Sequence, residues 1–235
     1  GDVYKRQGVV MTKRLIGLMR ASHFGPTMLV TAISFFFAQL YWWEGPSMVI
    51  AFAFFCGQLV VGWSNDLIDY QDDLRHNRLN KPLVAGFITP KYLGRWLKVM
   101  VPIAILVNLF GPLGIIGGGL SLFAIGWAVA YNFYFKFNVF SPLPYAVAFA
   151  ALPSCMALSK DQMPPLWMWL GGALFGVAAH FLNVIKDMKQ DNQSGIKGLP
   201  QRVGTKTSVV IAIMLIASAI TLLALSDLSL PPVAP

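Results

Sequence analysis

Residues 47–73 read SMVIAFAFFCGQLVVGWSNDLIDYQDD: eighteen residues without a charge, Ser47 to Ser64, followed at once by four aspartates. A run of that length approaches the ~20 apolar residues that cross a bilayer as a helix. The acids at its end need an explanation, because a carboxylate near a low-dielectric region is costly unless it is paired or bound to a cation.

The rest of the chain continues the apolar theme. Of 235 residues, 56% are hydrophobic and 12% charged, with a mean hydropathy of +0.62. A soluble domain carries roughly 25% charged residues. Further uncharged stretches run over His23–Trp43, Val139–Leu158, Leu166–Ile185 and Ser208–Leu225, and a 37-residue one covers Val99–Phe135. The last is too long for one span and breaks naturally at Gly111-Pro112, since proline cannot continue a helix without losing a hydrogen bond. Extending its first half back to Tyr92, with Arg95 and Lys98 reaching to the interface, gives seven expected transmembrane helices. The fold class is therefore an all-α polytopic membrane protein.

The net charge of +8 does not indicate nucleic acid. With the N-terminus inside, 17 of the 18 basic residues fall on the inner side and only Lys160 outside. This is the positive-inside pattern of a membrane protein, and no nucleic-acid partner is expected. Cys56 and Cys155 lie inside apolar spans and read as small hydrophobes rather than a disulfide. The opening GDVYKRQ reads as an adaptor-derived leader, with Met11 a more natural start. The expected organisation is a leader over 1–10 and one membrane domain over 11–235. The far end, LSLPPVAP, follows the seventh span directly.

Within the quoted stretch, Asn65, Asp69 and Asp73 form N-x3-D-x3-D. The pattern recurs as Asn183, Asp187 and Asp191 in NVIKDMKQD, at the end of the sixth span. Each copy precedes a basic, proline- and glycine-containing loop, RHNRLNKPLVAG or NQSGIKGLPQRVG. A duplicated unit is expected, the first repeat about 20–135 and the second about 139–235. Four residues of helix advance about 400°, so each triplet forms one drifting stripe with about 6 Å between steps. Clustered hard oxygen donors suit Mg²⁺ together with substrate phosphate oxygens, and nearby basic residues would complete a phosphate site. Asp66 and Asp72 fall off the stripe and are expected to be solvated or to support it from behind. His180, three residues before Asn183, could line a cavity or pack as a hydrogen-bonded core histidine. Gly117–Gly119 read as close helix packing, and Tyr41–Trp43 as an interfacial aromatic belt.

On these motifs, with LMRASHFGPT, YNFYFK and GLPQRVG, the chain resembles the UbiA superfamily of intramembrane prenyltransferases. The resemblance implies a helical bundle open laterally to lipid. It implies Mg²⁺-dependent transfer of an isoprenyl chain from a polyprenyl diphosphate to a hydrophobic, often aromatic, acceptor. By position, Asn65, Asp69, Asp73, Asp187 and Asp191 would be the magnesium-diphosphate residues, the aspartates carrying catalysis, and Asn183 extends the second stripe. Lys81 in NKP, Lys136 after Tyr131, Arg20, Tyr131 itself, and Asn65 and Asn183 are substrate-contact candidates; each basic residue equally suits a positive-inside anchor. Members usually have nine helices, so the second repeat is expected to be incomplete. The expected location is the bacterial cytoplasmic membrane, with the motif loops on the cytoplasmic face. A membrane terpene cyclase using the same site, or a cation or phosphate transporter, are the alternatives.

Overall fold

The structure is a computed structural model that describes the backbone of residues 2–226 and the side chains of residues 10–226. The terminal LSLPPVAP lies outside the described residues. Among them the secondary structure is helical throughout: α1 Asp2–Ala21, α2 Phe24–Ala38, α3 Glu44–Arg75, α4 Pro90–Phe110, α5 Gly114–Phe133, α6 Leu143–Leu158, α7 Gly172–Gln193, α8 Leu199–Val203 and α9 Thr205–Leu225. A 3₁₀ turn, Phe135–Phe137, follows α5, and a π-helical turn, Trp167–Gly171, leads into α7.

Each expected span coincides with a helix, and their lengths differ for local reasons. Five have the length and composition to cross a bilayer: α3, α4, α5, the Trp167–Gln193 helix and α9. The expected span His23–Trp43 contains only 15 helical residues in α2, and it passes that test only jointly with Val10–Ala21, across a 64° bend. The bend turns on Ser22-His23, where His23 takes a left-handed φ of 52°, a conformation uncommon outside glycine. Helix α6 begins four residues later than expected because Asn138 Oδ1 accepts the Phe140 N–H at 2.9 Å. Such a side-chain turn competes with helix, and Pro142 and Pro144 then suit a helix start. The break at Gly111-Pro112 is as the sequence dictates, with α4 ending at Phe110. Its other end is set by Thr89, whose hydroxyl accepts the Tyr92 N–H with Pro90 at the first helical position, a favourable start on both counts.

Helices α2 to α5 pack as successive neighbours, as do α5–α6, α6–α7 and α7–α9, and an α2–α6 contact closes the arrangement. Large apolar side chains such as Phe36, Phe110, Ile115 and Met214 face outward, as expected where the surroundings are lipid. Tyr41, Trp42 and Trp43 do not form a uniform belt. Tyr41 is buried with its hydroxyl directed at Met168 Sδ, Trp42 donates to Ser159 Oγ at 2.9 Å beneath the Lys160 ammonium, and only Trp43 is exposed. Both cysteines are free and buried.

The glycine cluster in α5 packs as expected at two of its three positions. A Cβ on Gly117 would lie 2.5 Å from the Cys155 carbonyl oxygen of α6, and one on Gly118 2.0 Å from the Asn108 carbonyl oxygen of α4. Gly119 has nothing within 4 Å. Gly118→Ala should therefore destabilise the bundle by about 1–3 kcal/mol through overpacking. Gly119→Ala, gaining helix propensity without a clash, should be neutral or stabilising by up to ~1 kcal/mol. Thermal unfolding of the two variants in detergent distinguishes them.

Candidate active site

Helix α3 continues for 32 residues without interruption, so the apolar span and the acid motif are one rod. Asn65, Asp69 and Asp73 therefore share a stripe by helical geometry. Asn65 Nδ2 donates to Asp69 Oδ2 at 3.1 Å and to Asn132 Oδ1 of α5 at 3.2 Å. This leaves the Asn65 side-chain oxygen, Oδ1, without a hydrogen-bond partner among the described residues.

The helix then stops in a way that aims its loop back at the stripe. Asn77 adopts a left-handed φ of 50°, its N–H bonds to the Leu74 carbonyl, and the Arg78 N–H bonds to the Asp73 carbonyl at 3.0 Å. This pair of bonds around a left-handed residue is a Schellman ending. It returns Arg78 over Asp73, and Arg78 Nη1 donates to Asp73 Oδ1 at 2.6 Å. Helix α7 ends in the same way: Gly195 is left-handed (φ 71°), its N–H bonds to the Asn192 carbonyl, and the Ile196 N–H bonds to the Asp191 carbonyl at 2.9 Å. Asp73 and Asp191 thus occupy the same position in two matching helix ends.

Three acids of the first motif region each meet an internal cation. Lys136, 5% exposed on the 3₁₀ turn after α5, donates to Asp69 Oδ1. Arg78 holds Asp73 and also lies 3.4 Å from Asp72. Lys81 donates to Asp66 at 2.8 Å and lies 4.0 Å from Asp73. Burial would pull the Lys81 ammonium down, but the charge and hydrogen bond of Asp66, with Asp73 and Asp69 behind it, outweigh that and hold it above the usual lysine value. Of the two expectations for Asp66, solvated or supporting the stripe from behind, the structure shows a buried acid: it is 2% exposed and lies against Lys81 and His23. Asp72, about one-third exposed, is a surface acid beside His76 and Arg78.

The second stripe is more open. Asn183 is exposed and donates to the Tyr145 hydroxyl at 3.3 Å. Asp187 is exposed, and its carboxylate has no hydrogen bond or ion pair among the described residues. Asp191 accepts from Gln201 Nε2 of α8 at 2.8 Å. The two stripes share one end of the bundle, because Arg78 Nη2 also donates to Ser194 Oγ at the end of α7. Tyr131 of α5 lies against Tyr145, whose hydroxyl accepts from Asn183. Its ring meets those of Tyr145 and His180 at 5.4 and 5.6 Å. His180 is 1% exposed and pairs through Nε2 with Ser141 Oγ at 3.0 Å, the packing reading of the two considered.

Arg20 stands apart from the acids. It is exposed, with its guanidinium 4.7 Å from the Phe87 ring centroid, and makes no ion pair among the described residues. Conversely, Arg78, Asn132, Tyr145 and Gln201 join the site without having been singled out in the sequence. Arg78 alone carried a local signal, five residues after Asp73 in the basic loop.

The donor set suits a hard cation, since every motif side chain offers oxygen. Among the described residues no three acid, histidine or cysteine side chains gather closely enough to cage an ion.

Comparison with known proteins decides the family. The model of the UbiA prenyltransferase family matches residues 27–235. The chain belongs to the UbiA prenyltransferase family. The 4-hydroxybenzoate octaprenyltransferase of Saccharophagus degradans is 28% identical over 156 residues, which cover 63% of this chain and 50% of the relative. The chain thus spans about half the length of the curated relative it matches. A solved structure of digeranylgeranylglyceryl phosphate synthase shares the fold, with a TM-score of 0.68 at 16% identity over 89% of this chain and 76% of that one. The helical content and the apolar spans make this an integral membrane protein.

Proposed function

We propose that this chain transfers an isoprenyl group from its diphosphate to an aromatic acceptor, using Mg²⁺ held between the two acid stripes. The observation that carries this reading is the shared end of α3 and α7, where Arg78 reaches from Asp73 to Ser194. Asn65, Asp69 and Asp73 on one side, and Asp187 and Asp191 with Asn183 on the other, are the residues to hold the metal. When bound, Mg²⁺ draws electron density from the diphosphate and lowers the barrier to its departure.

The chain's own residues supply the remainder. Lys81, Lys136 and Arg78, each docked on an acid of the first motif region, can turn to diphosphate oxygens in charge-assisted hydrogen bonds. They thereby stabilise the charge that grows as the allylic C–O bond breaks and the diphosphate leaves with the electron pair. The apolar spans below exclude water from the electron-deficient allylic carbon. An electron-rich ring carbon of the acceptor bonds to it, and the ring proton passes to a basic oxygen at the site. Tyr131 and Tyr145 offer π-faces beside the motifs on which a flat acceptor can rest. The acceptor class, a phenolic acid, is inferred from the Saccharophagus degradans relative.

The remaining assignments follow the same reasoning. The motif loops face the cytoplasm of a bacterial cell, supported by the bias of basic residues to that side. The halves α2–α5 and α6–α9 are two copies of one unit, supported by the matched Schellman endings after Asp73 and Asp191. The test supplies membranes carrying the chain with labelled allylic diphosphates of several lengths, with and without 4-hydroxybenzoate. Mg²⁺-dependent, acceptor-dependent labelled lipid is the expected product. A labelled hydrocarbon formed without acceptor would replace this reading with a cyclase, and unchanged label inside vesicles would replace it with a transporter.

A further inference from the structure

Asp66 adjoins Asn65 but lies about 100° round the helix from it, so the stripe does not account for it. Both of its oxygens are occupied or sealed. Oδ1 receives Lys81 Nζ at 2.8 Å and faces His23 Nε2 at 3.3 Å, while Oδ2 is buried without a hydrogen-bond partner among the described residues. With its side chain 2% exposed, against 22% for Asp69, Asp66 offers no open side to a metal arriving on a phosphate. Its contacts instead join three segments: the α1–α2 bend through His23, helix α3, and the motif loop through Lys81. Lys81 has a second acid, Asp73, at 4.0 Å. Its four-carbon stem would sample many positions if free, so the shorter contact to Asp66 sets where the ammonium stands relative to the stripe.

We propose that Asp66 is a positioning residue that takes no metal itself and seats the Lys81 ammonium at the edge of the first stripe, where the diphosphate is received. The inference rests on the diphosphate reading above for what Lys81 does, and on geometry alone for the pairing. Removing either partner should then cost the same property, because Asp66 acts only through Lys81.

The test uses the full chain in lipid nanodiscs, with inorganic pyrophosphate and Mg²⁺ as the probe. Asp66→Asn and Lys81→Met should each weaken pyrophosphate binding about tenfold, and the double variant should lose no more than about twofold beyond either, as expected for two groups acting as one unit. The Mg²⁺ concentration for half-saturation should stay within about twofold of wild type in Asp66→Asn, whereas Asp69→Asn raises it, as loss of a direct ligand does. Multiplying losses in the double variant, or an Mg²⁺ requirement in Asp66→Asn that rises as it does in Asp69→Asn, would overturn the proposal. A second arm needs no diphosphate. An amine-acylating reagent should modify Lys81 several-fold faster in Asp66→Asn than in wild type, and an unchanged rate would overturn the pairing. Wild-type chain that binds no magnesium pyrophosphate would overturn the diphosphate reading, while the acylation arm still decides whether Asp66 seats Lys81.

Discussion

Asp187→Ala is expected to lower Mg²⁺-dependent diphosphate release by a factor on the order of 10²–10³, the usual consequence of removing one group aimed at developing charge, while leaving the fold intact. The second half of that statement makes the first informative. The Asp187 carboxylate is exposed and bonds to nothing among the described residues, and surface substitutions of that kind usually change stability by no more than about 0.5 kcal/mol. Asp69→Ala should reduce release at least as much, but it also strands the buried Lys136 ammonium, so its loss mixes chemistry with packing. The measurement is diphosphate release in membranes, beside the unfolding midpoint of each variant in detergent. Normal turnover by Asp187→Ala would remove the second stripe from the proposed site.

Arg78→Met is the substitution expected to harm stability most. Asp73 is 1% exposed and its short partner is Arg78 at 2.6 Å. Taking one member from a buried pair costs about 3–5 kcal/mol, because the other charge remains without compensation. Lys81 at 4.0 Å from Asp73 should hold the loss toward the lower figure. For a chain of this size about 3 kcal/mol corresponds to a fall of about 6–12 °C in the unfolding midpoint. The variant also loses the Ser194 contact between the two motif ends. Adding Asp73→Asn should recover a substantial part of the midpoint, since the stranded charge is then gone. Absence of any recovery would mean that the Ser194 link, not the Asp73 pair, carries the stabilisation.

What could be read from the sequence followed from its one-dimensional patterns. Uncharged runs gave the helices, Gly111-Pro112 gave the break between α4 and α5, and an i, i+4, i+8 spacing gave each stripe before any coordinates. Those features depend on neighbours along one helix. The pairings at the site do not. Lys136 reaches Asp69 across 67 residues and Arg78 reaches Ser194 across 116, and nothing local marks which residues pair. Leaving the stripe left two readings open for Asp66, a solvated acid or a support from behind, and only the enclosure by the α1–α2 bend and the motif loop decides against solvent. The aromatic run Tyr41–Trp43 failed for a related reason. Composition locates such residues near an interface, but only the packing of α2 against the π-helical turn shows that Tyr41 faces inward. The matched helix endings lay between the two cases: Gly195 is a plain signal for a left-handed residue, and Asn77 a weaker one.

The unbroken run of α3 from Glu44 to Arg75 has a further consequence for the traffic of lipids. At ~1.5 Å per residue a 32-residue helix measures about 48 Å, against about 30 Å of hydrocarbon in a bilayer. Its acid-bearing end therefore stands at the water boundary while the same rod remains in oil below. A long-chain donor handled there keeps its head among polar groups and its tail among acyl chains from arrival to release. It never has to desorb, a step that would cost roughly 0.8 kcal/mol for each methylene exposed to water. Under the proposed function, substrate would be collected by lateral diffusion in two dimensions, and product would be delivered already dissolved in the membrane.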